Sequence, residues 1–288
     1  MNPTAIHLYS NLDNGTGSTK HAELNLTSVS RSDSYIIKGM SGLDLDSVSH
    51  RYFSNGAVSG FDYYNVVSEP RVVVLAIRLN PQYQLNETAN SLRANLQKMV
   101  AFTRNSLIEL RFMENTTHIA SLNGHITKFE ASLFSSDPEV QITFHCEEPL
   151  LLSPTYTSVS VSPSRSDTKT WSDNLSTSAH GFKMEIKFPT PTVNFITIQG
   201  ISGTTKAPFS FGIDTPWVNT ILHFSSEKNN RYLYWTASGN TQNIMNLIEP
   251  FSVWPMMYPG ETSISINTNI TNNFIFESIT YKNAYWGL

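Results

Sequence analysis

Over residues 71–79 the chain reads Arg-Val-Val-Val-Leu-Ala-Ile-Arg-Leu, an almost unbroken apolar run. Val73, Leu75, Ile77 and Leu79 share one face, and Val72, Val74 and Ala76 nearly fill the other. This predicts a strand covered on both faces for most of its length. The period then changes. Ala89, Leu92, Leu96 and Met99 with Val100 recur at the 3–4 spacing of a helix stripe. Asn86 is the expected N-cap, Glu87 lies in the first turn, Lys98 and Arg104 lie toward the end, and Asn105 is the expected C-cap. Residues 107–112 alternate as a half-buried strand, and 119–133 reads as two extended pieces around an Asn123-Gly124 turn. In 140–146, Val140, Ile142, Phe144 and Cys146 fall on one face. The unit predicted is one helix laid on a small sheet.

Upstream, strands are expected near 6–9, 22–26 and 35–38, with a glycine-containing loop at 14–17. Residues 42–61 read as loop, with Asn55-Gly56 as a turn. A change in composition comes at 153–180, which is rich in Ser and Thr and holds Pro154 and Pro163. A strand is expected near 155–161 and a loop or hinge over 162–178. Beyond 181 the pattern is short strands between turns, near 182–188, 193–201, 208–213, 220–225, 231–237, 262–267 and 274–281, with at most a helical turn at 243–248. The fold class expected is mainly β with two domains. The first, 1–152, carries one helix on its sheet; 153–180 is a connector or the first strands of the second domain; 181–288 is an antiparallel β-sandwich of galectin or carbohydrate-binding-module type.

Composition narrows the function classes. A chain of 288 residues is long for one core, so two domains are the natural division. Charged residues are 15%, the net charge is −4, and the basic residues are scattered, which argues against a nucleic-acid-binding protein. The single cysteine, Cys146, sits on an apolar strand face and reads as a core residue of a protein folded in a reducing compartment. Residues 1–5 lack the pattern of a secretion signal, and no run approaches the length of a membrane helix.

Motifs for chemistry are weak. Ser166-Asp167-Thr168-Lys169 and Ser172-Asp173-Asn174 match two motifs of penicillin-recognising enzymes, but they lie end to end in a Ser-rich stretch without a helix to align them. The eight histidines have no metal-ligand spacing, and Asp44-x-Asp46 lacks the remaining ligands of a calcium loop. Glu147 and Glu148 are adjacent, so they point to opposite faces of a strand rather than across a cleft. No catalytic residue, metal site or cofactor is expected. Aromatic residues are the better candidates for contact. Trp217 follows Pro216 in an expected loop, while Tyr232 and Tyr234 share a strand face with Trp235 opposite. These three, Trp217, Tyr232 and Tyr234, are the candidate sugar or partner contacts.

The order of these features resembles the distal tail proteins of siphophages. The resemblance rests on Arg71 opening an apolar strand, a helix of Leu92-Arg93-Ala94-Asn95-Leu96 type, the Gly124-to-Glu130 segment, and the strand entering Cys146-Glu147-Glu148-Pro149-Leu150. It also rests on Gly39-Met40-Ser41-Gly42-Leu43-Asp44, Gly60-Phe61-Asp62 and the closing segment 279–286. Residues 254–262 are similar to the family's Pro-x-x-x-Pro-Gly-Glu-Asn signature, with Thr262 in place of the usual Asn. The resemblance implies a non-enzymatic structural hub of a phage tail tip or baseplate. Such a protein forms a homohexameric ring through its first domain, between the tail tube protein and the tail-tip hub protein, with DNA passing through the channel. It would assemble in the host cytoplasm and reside in the virion, with the second domain turned toward receptor-binding or adhesion proteins or host glycans. A net acidic subunit suits a conduit that should not retain DNA. The competing reading is a β-sandwich adhesin or carbohydrate-binding module that builds no ring.

Overall fold

The computed structural model describes residues 3–11, 18–25, 33–44, 48–54, 61–102, 107–132, 137–159, 168–173, 175–189, 195–201, 208–212, 219–228, 230–268 and 274–287. These are mainly strand, with one α-helix among them. The chain divides into two compact units, residues 1–154 with 286–288, and residues 155–285.

The first unit contains β1 (Ala5–Asn11), β2 (Ser18–Asn25), β3 (Tyr35–Ser41), β4 (Val48–Ser54), β5 (Phe61–Ser68) and β6 (Arg71–Leu79). Helix α1 (Ala89–Phe102) follows, then β7 (Ile108–Glu114), β8 (Thr117–Ala131), β9 (Glu139–Cys146) and β10 (Leu151–Leu152). Seven strands run in the order β8-β7-β1-β2-β3-β6-β9, and β8 pairs again with β9, so the sheet closes into a barrel. The pairings are antiparallel except at β2–β3, where Asn25 meets Ile36 in parallel. Alternation accounts for the interior: Ile6 and Leu8, Ile108, Leu110 and Phe112, Val140, Ile142 and Phe144, and Val73 to Leu79 in steps of two are all buried.

Several expectations are corrected here. β6 is buried on one face only; Val74 and Ala76 are half-buried and Val72 is 47% exposed, because a barrel strand has one dry face. The Asn123-Gly124 turn does not form. β8 continues straight through it, pairing with β7 up to Ile108↔Gly124 and with β9 from His125↔His145 onward. Gly124 is the point of transfer. A Cβ there would stand 2.6 Å from the Cys146 Sγ and 2.9 Å from the His145 carbonyl oxygen, so the glycine serves close approach, not a turn. The tight connection lies one hairpin earlier, at Asn115, whose φ is 55°. Strand β4 lies within the loop expected over 42–61 and pairs antiparallel with β5, which follows it. The Asn55-Gly56 turn of that loop, the glycine-containing loop at 14–17 and Asp46 lie outside the described residues.

The helix stripe holds, since Leu92, Leu96 and Met99 are buried and α1 contacts β6 and β8, the two strands flanking β9. Its cap does not fall on Asn86. Asn86 takes a left-handed conformation after a 3₁₀ turn at Tyr83–Leu85, and Thr88 caps the helix instead. The Ser91 amide donates to the Thr88 hydroxyl at 3.0 Å and the Thr88 amide to the Ser91 hydroxyl at 2.9 Å, a reciprocal arrangement of the capping-box kind. Asn105 and Arg104 lie outside the described residues. Arg71 occupies an inward position and is 4% exposed; its guanidinium donates to the Trp286 carbonyl and, at 3.5 Å, to that of Gly42. Gly42 has φ +87°, and a Cβ there would collide with the Val72 carbonyl.

The second unit has β11 (Thr157–Ser158), β12 (Thr168–Asp173), β13 (Phe182–Phe188), β14 (Phe195–Ile201) and β15 (Phe209–Gly212). Then come β16 (Thr220–Ser225), β17 (Tyr232–Ala237), β18 (Asn240–Asn243), β19 (Gly260–Thr268) and β20 (Ile275–Tyr281). Two antiparallel sheets form, β11-β20-β13-β16-β17-β18 and β12-β19-β14-β15. Their inward residues, among them Phe182, Ile198, Phe209, Phe224, Ile264 and Phe276, make one buried cluster. The loop expected over 162–178 is in part β12, and Ser176, Ser178 and His180 beyond it are buried. Met257, inside the 254–262 signature, exchanges backbone bonds of 2.8 and 2.9 Å with His180, and Gly260 opens β19 with φ +88°.

Candidate functional site

On the six-stranded sheet the residues alternating with the core point outward: Lys183, Glu185 and Lys187 of β13, Ile221 and His223 of β16, and Tyr232, Tyr234 and Thr236 of β17. Register places Ser278, Glu185, His223, Tyr234 and Asn243 in one row across five strands. The Ser278 hydroxyl donates to one Glu185 oxygen at 3.2 Å, and the other lies 3.1 Å from His223 Nδ1. His223 Nε2 meets the Thr236 hydroxyl at 3.0 Å. The imidazole lies nearly parallel to the Tyr234 ring, with centroids 4.6 Å apart and planes 15° apart. Tyr232 tilts against Tyr234 at 5.4 Å.

Beside this row Tyr156 brings a second group together. Lys183 Nζ donates to the Tyr156 hydroxyl and lies 3.3 Å from a Glu227 oxygen, to which that hydroxyl also donates at 3.2 Å. Lys183 and Lys282 also stand over the Tyr156 ring, 4.2 and 5.1 Å from its centroid. Burial works against the Lys183 charge, yet Tyr156 and Glu227 hold its pKa above the ordinary lysine value. Burial raises the phenol pKa of Tyr156 and of Tyr232.

Tyr232 and Tyr234 thus share a half-buried outward face, with Trp235 inward and 6% exposed. Trp217 lies outside the described residues. Sequence reasoning missed His223, Lys183, Tyr156 and Glu227; outward alternation marks the first two, but their neighbours follow only from cross-strand register. A sugar platform needs an open ring face, and His223 stacks on a face of Tyr234. The row and the Lys183–Glu227 pair beside it offer ring edges, hydroxyls and paired charge, the means of a polar protein contact.

A serine, histidine and carboxylate also meet on the barrel wall, wired in the wrong sense for acyl transfer. The Ser121 hydroxyl donates to Glu109 at 2.7 Å. His118 Nε2 lies 3.0 Å from the Ala120 carbonyl, which only accepts, so that nitrogen carries the proton and donates to Ser121 at 2.8 Å. The imidazole therefore has no lone pair there for the hydroxyl proton. Although burial opposes it, bonds from Arg111 and Ser121 keep the Glu109 carboxyl below its ordinary pKa. No group of three potential metal ligands occurs among the described residues. Lys169 and Asp173, from the two enzyme-like motifs, lie on β12, a strand.

No family model and no curated protein matches the chain. Solved structures do. The crystal structure of the SPP1 Dit protein, described as a paradigm of the hub adsorption apparatus of phages infecting Gram-positive bacteria, superposes with a TM-score of 0.61. The match covers 97% of this chain and 98% of that one at 14% identity. The fold is that of SPP1 Dit. Two structures of the phage p2 baseplate in its activated conformation, with strontium and with calcium, are more distant, each with a TM-score of 0.47 and with 9% and 8% identity. They cover 97% and 98% of this chain, and 97% of the matched chain in each case.

Proposed function

We propose that the chain is a distal tail protein, the structural hub of a siphophage tail tip or baseplate. The observation that carries this is the likeness to SPP1 Dit over nearly the whole of both chains, which a stand-alone sandwich module would not give. In this reading residues 1–152 are the ring-forming domain, six copies close around a channel for DNA, and the ring joins the tail tube to the tail-tip hub. Residues 153–180 lead into a galectin-like or carbohydrate-binding-module-like sandwich over 181–288, which faces outward. The protein is assembled in the host cytoplasm and carried in the virion. Light scattering and negative-stain images of purified protein test it: the expected particle is a ring of six 32.3 kDa chains, or a pair of such rings. A monomer at every concentration, with and without tail tube protein, would sink it.

The outer row of the second unit supports a narrower statement about that outward face. Tyr232 and Tyr234, with Trp217 as a further candidate, contact another tail protein in preference to a glycan, because the Tyr234 ring is stacked on His223, with Glu185 and the Lys183–Glu227 ion pair on the same face. Saturable binding of host-wall polysaccharide to wild-type protein, lost in Tyr234→Ala, would replace this with the glycan reading.

A further inference from the structure

Closing a ring of identical chains requires two different patches on each copy, placed so that one copy's first patch meets the next copy's second. The barrel unit presents such a pair. After β6 the 3₁₀ turn carries Tyr83, 87% exposed, and Leu85, 66% exposed. This knob is braced from behind. Glu87 accepts from the Ser34 hydroxyl at 2.7 Å and from the Gln82 amide at 3.1 Å, and left-handed Asn86 closes the turn onto Tyr83. Two large apolar side chains on a turn already fixed cost little further ordering on contact.

The other exposed large apolar residues of the barrel, among its described side chains, are Val72 and Leu107. Val72 sits at the opposite end of β6, seven residues from Leu79 or about 23 Å at strand rise. It pairs with His145, His145 with His125, and Leu107 precedes the Ile108↔Gly124 pair beside His125. The result is a seat with an apolar residue at each side, 47% and 39% exposed, and two half-buried imidazoles between. It suits the knob chemically: apolar surface for the Tyr83 ring and Leu85, and imidazole nitrogens for the phenol hydroxyl.

We infer that Tyr83 and Leu85 of one copy seat against Val72, His125, His145 and Leu107 of a second copy of this chain, forming the head-to-tail contact of the ring. This rests on the ring reading above and deepens it. The test uses full-length chains: a knob variant, Tyr83→Ser with Leu85→Ser, and a seat variant, Val72→Ser with Leu107→Ser. Phe251→Ser, at a wholly exposed residue of the other unit, is the control.

At concentrations where wild type forms rings, each double variant should run as a single chain, needing at least about tenfold more protein to assemble. At dilutions where wild type is also a single chain their melting temperatures should equal the wild-type value, and at ring-forming concentrations the control should still form rings. Mixed one to one, the two variants should give a dimer and nothing larger, because one intact knob and one intact seat remain. Rings persisting in either double variant, or no dimer in the mixture, overturn the inference while leaving the ring itself standing. Single chains in the wild type at every concentration, with and without tail tube protein, would instead remove the ring reading and this contact with it.

Discussion

In the barrel the buried face is largely aliphatic, with Ile6, Leu8, Leu24, Val73, Leu75 and Ile142, and Phe112 and Phe144 are the buried aromatics among its described side chains. Between the two sheets of residues 155–285 the interior is crowded with Phe182, Phe188, Phe209, Phe211, Phe224, Phe274 and Phe276, joined by Trp235. Two ways of closing a sheet explain the contrast. A seven-stranded barrel curls around a narrow interior that branched aliphatics fill, whereas sheets facing each other at about 10 Å need side chains long enough to meet. In the second unit the rings also touch one another: Phe224 meets Phe209 edge-on at 5.4 Å, Phe182 at 5.5 Å and Trp254 in a stack at 5.5 Å. The barrel concentrates its constraint elsewhere, at the few positions where the sheet must bend or close.

The largest way to break this contrast is Phe224→Ala. Removing a fully buried ring from the aromatic cluster should cost about 3–5 kcal/mol. The loss should fall on the second unit alone. Trp171, Trp235 and Trp254 belong to it and Trp286 to the barrel unit, so in urea unfolding followed by fluorescence the larger part of the signal should shift to lower denaturant. Amide exchange of the barrel strands should keep its wild-type protection. A barrel destabilised equally would mean that the two units unfold as one.

Gly124→Ala is the matching blow to the barrel, expected to cost about 1–3 kcal/mol because a methyl group has no room between β8 and β9. Its nearest obstacle is the Cys146 sulfur at 2.6 Å, with the His145 carbonyl next at 2.9 Å. In a Cys146→Ala background the penalty should shrink but persist, a coupling that a double-mutant cycle in urea would measure. Full additivity would show that the sulfur is not what Gly124 makes room for.

How the two units read from sequence follows the same physics. Alternation is local, so β6, β7, β9, β13, β16 and β20 are legible within a residue or two of their bounds, as is the inward stripe of α1. Contacts between segments distant along the chain are not. Asn123-Gly124 carries the composition of a turn, and only the approach of β9 shows that its glycine is needed for space. The cap moved from Asn86 to Thr88 because a 3₁₀ turn intervenes, and β4 was hidden between the turn formers of residues 42–61. Of the candidate row, the shared face of Tyr232 and Tyr234 is visible in a two-residue period. The stacking of His223 and the bonds joining Tyr156, Lys183 and Glu227 depend on register between strands, which no local pattern encodes.

The smallest expected effect distinguishes the units by pH. His180 of the second unit is buried, and its Nδ1, 3.0 Å from the Ser178 carbonyl, carries a proton that it donates there. Nε2 lies 3.6 Å from a buried Asp173 oxygen, and Tyr281 packs on the ring at 5.3 Å. Burial favours the neutral imidazole and outweighs the attraction of Asp173 for the charged form, so the pKa is below its ordinary 6.5. The unfolded chain therefore binds the proton more readily. The contribution is complete above about pH 6.5 and is lost as the pH falls through the lower, folded-state value. His7 on the barrel wall is shifted in the same direction, by burial and by Lys20, but Glu23 at 3.6 Å opposes the shift and the site is less enclosed. Acidification from pH 7 to 5 should thus lower the second unit's urea midpoint more than the barrel's, and His180→Phe should flatten the difference. A second unit that gains stability on acidification would show that the Asp173 carboxylate, and not burial, governs His180.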